Sequence, residues 1–458
     1  MASSKKPASS DLLQAVTQRL HAQLTPTRHV TVALSGGVDS VVLLHLLHRA
    51  QLEKTFTLSA VHVNHQISPH AADWAEFCGT LCAKWRIPLV LKTIQVPRRA
   101  KAGLEGAARA LRYRAFAELD TDCVLLAQHM DDQAETVLLN LLRGAGVRGA
   151  AAMPEVRPQA SGVGCQGEGA LIMRPLLEVA RANLVAYAKK HRLAWIEDES
   201  NLDQVFARNF LRHAVLPIVE QRFPAYRQTL ARAAQHFAEA DELLDELAEL
   251  DLASAVREGR LKLARLQDMS DARAKNLLRA YFASQGLPAL DTQRLHDWLR
   301  QLRSLRSDSQ MDIGVAGLAL RRYRGEVWVE PNTPRPAADW QLAWQGERRL
   351  ALPALGGRLL LTPARGAGLS VAKLSAAPVT LRLRRGGERL KPDCARPRKT
   401  LKNLLQEAAI PPWQRERLPL LYSGDTLVAA PGIGVDCAFQ AAPGEPVLRI
   451  DWVLAYIE

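Results

Sequence analysis

The feature that most limits how this chain can fold is a regular alternation along its first half. Short apolar runs at 29–36 (HVTVALSG), 57–65 (TLSAVHVNH), 89–96 (LVLKTIQV) and 123–129 (CVLLAQH) have the length of buried strands. Between them, 40–52, 70–86, 104–119 and 132–143 carry apolar residues at helical spacing. A further apolar run, 170–177 (ALIMRPLL), precedes a helical stretch at 180–192. Strand and helix in alternation close on themselves through right-handed crossovers between parallel strands. The expectation is an α/β domain with a doubly wound, mostly parallel sheet. Ligands bind such sheets beyond the carboxyl ends of the strands.

The alternation stops near residue 217. From 218 the pattern is helical, at 230–250, 272–286 and 292–304, followed by an alternating hairpin at 314–330 that turns near Arg324–Gly325. PNTPRPAADW (331–340) reads as a linker. Short strand-like pieces and turns fill the rest. At 458 residues the chain is too long for one ordinary domain. The expected division is an α/β domain over 1–217, a mostly helical one over 218–335 and a small α+β one over 336–458. A formal net charge of +13 suits a polyanionic partner, because Lys and Arg that neutralise phosphates release condensed counterions. No apolar core of a secretory signal stands near the start and no window is apolar enough to span a bilayer, so a cytoplasmic chain is expected. The six cysteines are sparse and read as reduced thiols rather than a disulfide framework.

The most informative segment is Ser35-Gly36-Gly37-Val38-Asp39-Ser40, between an apolar strand and an apolar helix. Its glycines allow a tight turn and a close ligand approach. Unpaired N–H groups at a helix start attract anions. Ser35 and Ser40 add hydroxyls, and Asp39 stands where a phosphate-bound metal needs an oxygen ligand. No GxxxxGK followed by Ser or Thr occurs, so this is not the commoner phosphate loop. SGGVDS after a strand instead resembles the pyrophosphate loop of the ATP pyrophosphatases, which cleave ATP between its α and β phosphates and transfer AMP.

Four further segments narrow the family. VHVNHQI (61–67) holds His62 and Asn64. GLEGAARALRYRAF (103–116) sets Glu105, Arg109, Arg112 and Tyr113 at helical spacing. LLAQHMDDQAETVLLNLLRGAG (125–146) holds His129, Asp132 and Glu135, the two carboxylates three apart on one helix face. IEDESNLDQVFARNFLRHAVLP (196–217) carries Asp198, Ser200, Asn201, Arg208, Asn209 and Arg212. With residues 384–436 these resemble the long form of the tRNA(Ile)-lysidine synthetases. One departure is visible: Gln128-His129 stands where many members have paired histidines.

The resemblance implies ATP-dependent attachment of L-lysine to C2 of the wobble cytidine of an isoleucine tRNA with a CAU anticodon. The route is an adenylated cytidine, with AMP and pyrophosphate released. Codon specificity passes from AUG to AUA, and amino-acid identity from Met to Ile. ATP is then a substrate, Mg²⁺ the cofactor, and tRNA and lysine the partners; a homodimer follows only by analogy. By position, Ser35, Gly36, Gly37, Val38, Asp39, Ser40, His62 and Asn64 would bind ATP, with Asp39 at the metal. His129, Asp132 and Glu135 would bind lysine. Asp39, Arg109, Asp132, Glu135 and Arg208 are the catalytic candidates. Arg112, Arg208 and Arg212 would meet tRNA, as would Arg384, Arg385, Lys399, Lys402 and Arg415 in the basic C-terminal run around Trp413. For the arginines the alternative is an ion pair with a nearby carboxylate; for the C-terminal run it is a solvated face.

Two signals carry little weight. GVGCQG (162–167) fits GxGxxG but follows a polar loop and opens no helix. Cys78 and Cys82 share a helix face without a second Cys/His pair at finger-like spacing, so they read as core residues, and His45 and His48 as packed side chains. A tRNA thiolase of the same superfamily would need a cysteine pair, and no CxxC exists. A non-catalytic RNA-binding protein would have no need of an intact SGGVDS with Asp132 and Glu135. An amidotransferase would need an ammonia source, and no such segment is visible.

Overall fold

The computed structural model describes residues 9–23, 28–51, 56–97, 103–158, 170–199, 203–304, 312–315, 317–364, 368–375 and 377–454. Ser200, Asn201, the glycine-rich run 162–167 with Cys165, and the side chain of Glu105 lie outside them. The chain divides into two compact units, 1–244 and 245–458.

In the first unit, α1 (Ser9–Gln23) precedes β1 (Arg28–Ala33), α2 (Val38–Gln51), β2 (Phe56–Asn64), α3 (Ala71–Trp85), β3 (Leu89–Thr93), α4 (Gly103–Ala117), β4 (Cys123–Leu125) and α5 (Met130–Leu142). A short α6 (Val147–Ala150), β5 (Val156–Pro158), β6 (Leu171–Met173) and α7 (Arg181–Lys190) follow. The strand order is β3-β2-β1-β4-β6-β5. All neighbours are parallel except β5, which runs antiparallel to β6 at one edge. The expected doubly wound sheet is therefore present. The short edge strand, which ends on Pro158, is an addition that the apolar pattern does not announce.

Side-chain alternation explains the two layers. Val30, Val32, Leu58, Ala60, Cys123, Leu125 and Met173 face one side, in a core with Leu43 and Leu47 of α2, Leu184 of α7 and Leu12, Val16 and Leu20 of α1. Val61, Val124 and Ile172, one residue out of phase, face the other side with Tyr113 and Phe116 of α4. Each fully buried Val or Leu contributes about 1.5–3 kcal/mol relative to exposure, which is what fixes the register. His45 packs against Trp85, Tyr187 and His191 in the α2 layer. The strand order reverses between β1 and β4. The crevice of the fold therefore opens where SGGVDS leaves β1 and AQHMDD leaves β4.

Beyond α7, α8 (Ala207–Phe210) runs through a π-helical turn, Leu211–Val215, into α9 (Leu216–Arg222), and α10 (Tyr226–Ala255) is a single helix of 30 residues. In the second unit, β7 (Val256–Arg257), β8 (Arg260–Lys262), β9 (Asp312–Val315), β10 (Leu318–Tyr323) and β11 (Glu326–Pro331) form an antiparallel sheet in the order β7-β8-β11-β10-β9. α11 (Leu263–Gln267), α12 (Asp271–Ser284) and α13 (Thr292–Ser304) pack on it through Leu266, Leu277, Leu278, Tyr281, Leu295, Leu299, Leu320 and Val327. The β10–β11 turn lies at Arg324–Gly325, both with positive φ, as the two-residue hairpin requires.

The C-terminal part is β-rich. Strands Gln341–Ala343, Val379–Arg382, Leu420–Ser423, Thr426–Ala430 and Gly434–Val435 form one sheet; Arg349–Leu352, Gly357–Ala364, Val447–Leu454 and Leu369–Ser370 form another. They share a core of Leu359, Leu361, Leu381, Leu421 and Val428. One expectation needs correcting here. Cys394 and Cys437 are joined as a disulfide, 43 residues apart with Cα atoms 5.5 Å from each other. Sequence spacing gave no sign that the exposed 393–398 loop folds back on the turn at 437–439. Cys78 and Cys82 are free and buried, and Cys123 is buried. No helix among the described residues is long and apolar enough to cross a membrane.

Candidate active site

The loop between β1 and α2 is held by its own hydroxyls. Ser40 Oγ donates to the Gly37 carbonyl (2.9 Å) and accepts from Ser35 N (3.2 Å), and the Ser35 and Ser40 hydroxyls stand 3.1 Å apart. Gly36 has φ +90°, and a Cβ there would lie 2.9 Å from Ile196 Cδ1. Ile196 N donates to the Gly36 carbonyl (2.9 Å), so the 196–217 segment is tied directly to this loop. Position 36 thus needs glycine for both conformation and space.

Asp39 opens α2, and its two oxygens differ. Oδ2 lies 3.6 Å from His129 Nε2 and 3.9 Å from Arg181 Nε. Oδ1 is buried without a hydrogen-bond partner. A buried carboxylate oxygen with nothing to accept suits a hard cation. Among the described residues no group of three or more His, Cys, Asp or Glu could hold a metal by itself. An ion such as Mg²⁺ keeps one or two protein carboxylates and takes its other ligands from phosphates and water.

His129 caps α5 and joins the two halves of the site. Its backbone N–H donates to Asp132 Oδ2 (3.1 Å), and in the neutral imidazole its Nδ1 accepts from the Asp132 N–H (3.4 Å), a reciprocal cap. Burial alone would lower its pKa, but Asp132, Asp39 and Asp131 together raise it above the usual value. Asp131, not singled out by the sequence, accepts from the Arg181 backbone N–H (2.8 Å) and from Arg227 Nε (2.6 Å).

Asp132 and Glu135 meet the arginines from the 196–217 segment. Arg208 donates to Glu135 Oε2 (2.8 Å) and Asp132 Oδ1 (3.0 Å). Arg212 donates to both oxygens of Glu135 (2.6 and 2.9 Å) and to Asp132 Oδ1 (3.1 Å). Burial works to raise the Asp132 pKa, yet His129, Arg208 and Arg212 bring it below the usual value. Burial works against the Arg212 cation, and Glu135 more than offsets it. Glu135 is 2% exposed, so this is an interior network rather than a surface pair. Both arginines lie in or beside the π-helical turn, a feature frequent at functional sites.

The other named residues are placed as follows. His62 Nδ1 is 2.9 Å from the Leu34 carbonyl beneath the loop, and burial lowers its pKa. Asn64 donates to Ala71 O and accepts from Gln66 N, so both its polar ends hold its own loop. Arg109 lies over the Tyr113 ring, 5.6 Å from its centroid, whereas Arg112 reaches His65 Nε2 at 3.3 Å, so the two diverge despite their shared face. Gln128, the departure from paired histidines, accepts a hydrogen bond from Arg174 Nε. In the second unit, Arg384 lies 3.7 Å from Glu388, Lys399 pairs with Glu407 (2.8 Å), and Arg385 and Lys402 are exposed. Arg415 turns inward to Ile410 O (2.6 Å) and Tyr323 OH (3.0 Å). Trp413 packs against Tyr323 and Trp328. Of the groups beyond those expected, Asp131 has one sign in the sequence, its place next to Asp132 in the same motif. Arg174, Arg181 and Arg227 come from distant segments and carried none.

The arrangement offers an anion-binding loop, a carboxylate oxygen free for a cation, and a carboxylate pair able to hold ammonium groups. Buried Cys78 and Cys82 are pushed up to about 12 and about 11, so neither is a ready thiolate.

Three family models match parts of this chain. The model of the PP-loop domain matches residues 9–219, that of the TilS substrate binding domain 261–328 and that of the TilS substrate C-terminal domain 379–452. Among curated proteins, the tRNA(Ile)-lysidine synthase of Nitrosomonas europaea is 45% identical over 99% of this chain and 98% of its own length. Those of Azoarcus sp. and Aromatoleum aromaticum are each 42% identical, covering 95% and 94% of this chain and 94% and 99% of their own.

Proposed function

The chain belongs to the tRNA(Ile)-lysidine synthases, ligases that form a C–N bond, and on that premise we propose that it works through an adenylated wobble cytidine. The cytidine O2 attacks the α-phosphorus of ATP, and the bond to pyrophosphate breaks. The neutral ε-amine of L-lysine then attacks C2, the C2–O bond breaks, AMP departs and the amine loses a proton. The chemistry requires the first step: a carbonyl oxygen leaves poorly, a phosphate ester well. Reading of AUG then becomes reading of AUA, and Met identity becomes Ile.

The observation that carries this reading is that the triphosphate loop and the Asp132–Glu135 carboxylate pair meet at His129, at the sheet's reversal point. Ser35 to Ser40 hold the triphosphate, and the free Asp39 Oδ1 would hold Mg²⁺, which supplies charge stabilisation at the phosphates. Asp132 and Glu135 bind the amino groups of lysine, which exchange with the guanidinium groups of Arg208 and Arg212. Those arginines are then free to turn to phosphate. Lysine's amine has a usual pKa of about 10.4, so it must lose a proton before it attacks, and a carboxylate that holds it, Asp132 or Glu135, is placed to accept that proton. The segments 1–217, 218–335 and 336–458 divide the labour into chemistry and two tRNA-gripping parts. The basic C-terminal run, with exposed Arg385 and Lys402, supports the last assignment. The reading places the protein in the cytoplasm.

The test is pyrophosphate release without lysine. We expect release, and label from α-³²P-ATP on the tRNA, only with a transcript whose wobble base is cytidine, and none in Asp39→Ala. Pyrophosphate released equally with a wobble uridine would overturn the adenylation step.

A further inference from the structure

Three guanidinium groups gather round Tyr113 with no acid among the described residues to balance them. Arg174, at the carboxyl end of β6, is 1% exposed. Its partners are all neutral: Gln128 Oε1, the Pro154 carbonyl (2.7 Å) and the Tyr113 hydroxyl (3.4 Å). Arg157 of β5 lies over the Tyr113 ring, 4.6 Å from its centroid, and its Nε is buried without a hydrogen-bond partner. Arg109, itself exposed, covers the same ring at 5.6 Å.

Like charges held together with so little water are unfavourable, and an arriving anion offsets the cost. The charge is felt at the phenol. Burial would raise the Tyr113 pKa, but Arg174, Arg109 and Arg157 bring it below its usual value. Planar guanidinium forks suit phosphate oxygens, which they bind bidentately.

Position decides whose phosphate this is. The triphosphate loop heads α2, on the sheet face that carries Val32 and Leu125. Tyr113 packs on the opposite face with Val124 and Ile172. The cluster reaches the crevice through Gln128, next to His129. We propose that Arg109, Arg157 and Arg174, gathered round Tyr113, seat a phosphodiester of the tRNA anticodon loop, on the far side of the crevice from ATP. This rests on the tRNA-modifying function proposed above. It adds a grip at the reacting end of the tRNA, separate from the basic C-terminal run. Gln128 links that grip to the cap of α5.

The experiment uses the full chain and Arg157, half-buried on an edge strand, in place of Arg174, whose loss threatens folding. The dissociation constant of an isoleucine tRNA transcript is measured without ATP over a range of salt. Arg157→Ala weakens binding roughly tenfold, the loss of one hydrogen bond to a charged group. It also lowers the magnitude of the slope of log K against log salt by about 0.7, one phosphate in a single-stranded region. Arg157→Lys keeps the slope, because the cation remains. Unchanged slope and affinity in Arg157→Ala would overturn the proposal. So would unchanged tRNA binding with a raised KM for ATP, which would give the cluster to the nucleotide. Lysine incorporation by the unaltered chain is read in parallel. Failure of the proposed function shows there, failure of the phosphate seat in the slope.

Discussion

Replacing Glu135 by Gln keeps the volume of the side chain and removes its charge. Its carboxylate accepts three hydrogen bonds from Arg208 and Arg212, at 2.6, 2.8 and 2.9 Å, and is 2% exposed. An amide oxygen in the place of Oε2 can still accept from two of those donors, but the amide N–H groups then face the third. Removing one partner of a buried ion pair costs about 3–5 kcal/mol. Two features reduce that figure here. Asp132 still accepts from both arginines, at 3.0 and 3.1 Å, and the arginines are 26% and 27% exposed. The expected loss is about 2–3 kcal/mol, at or just below the lower end of the buried-pair range. For a unit of this size that is a drop in melting temperature of roughly 5–10 °C. Thermal unfolding of the full chain reads it, and the KM for lysine should rise in the same variant. Adding Arg212→Gln should restore part of the loss, because the uncompensated charge goes too, with a coupling of about 1–3 kcal/mol. A melting temperature within about 2 °C of the parent, or a double variant whose loss equals the sum of the singles, would refute the reasoning.

Three further outcomes are expected. Gly36→Ala places a Cβ 2.9 Å from Ile196 Cδ1 at φ +90°, so a loss of about 1–3 kcal/mol and a raised KM for ATP are expected; an unchanged KM would separate the loop's strain from its function. His129 is held cationic above its usual 6.5, so its contribution to stability is fully present below that value and is lost as pH rises through the higher folded value. An NMR titration should place its midpoint above 6.5 and Asp39→Asn should lower it; a midpoint at or below 6.5 contradicts the cluster's electrostatics. In the second unit, Arg385→Ala with Lys402→Ala should weaken tRNA binding and flatten its salt dependence without changing thermal stability. Arg415→Ala should instead destabilise, since its guanidinium ties Ile410 to Tyr323; the reverse pattern would exchange their roles.

The catalytic sheet was legible because its signals are local. Apolar runs placed β1 to β4 and β6, and the loop residues 35–40 sit between β1 and α2 as the motif requires. Helix α1 also leaves a trace in the sequence: Leu12, Val16 and Leu20 recur every four residues and are buried. What stayed hidden depends on contacts between distant segments. Same-face spacing showed that Asp132 and Glu135 share a side, but not that Arg208 and Arg212, more than 70 residues on, fill it. Arg109 and Arg112 share a helix face, yet one turns to Tyr113 and the other to His65, because neighbouring segments offer each a different partner. The Cys394–Cys437 bridge and the inward turn of Arg415 are long-range in the same way.

The central claim is that this site joins lysine to the wobble base. The most direct measurement incubates the full chain with ATP, Mg²⁺, radiolabelled L-lysine and an isoleucine tRNA transcript with a CAU anticodon, and counts label in the tRNA. Incorporation is expected to require ATP, to be absent when the wobble base is uridine and to be lost in Asp39→Ala. A folded chain that binds this transcript, releases pyrophosphate and leaves lysine unattached would contradict the claim.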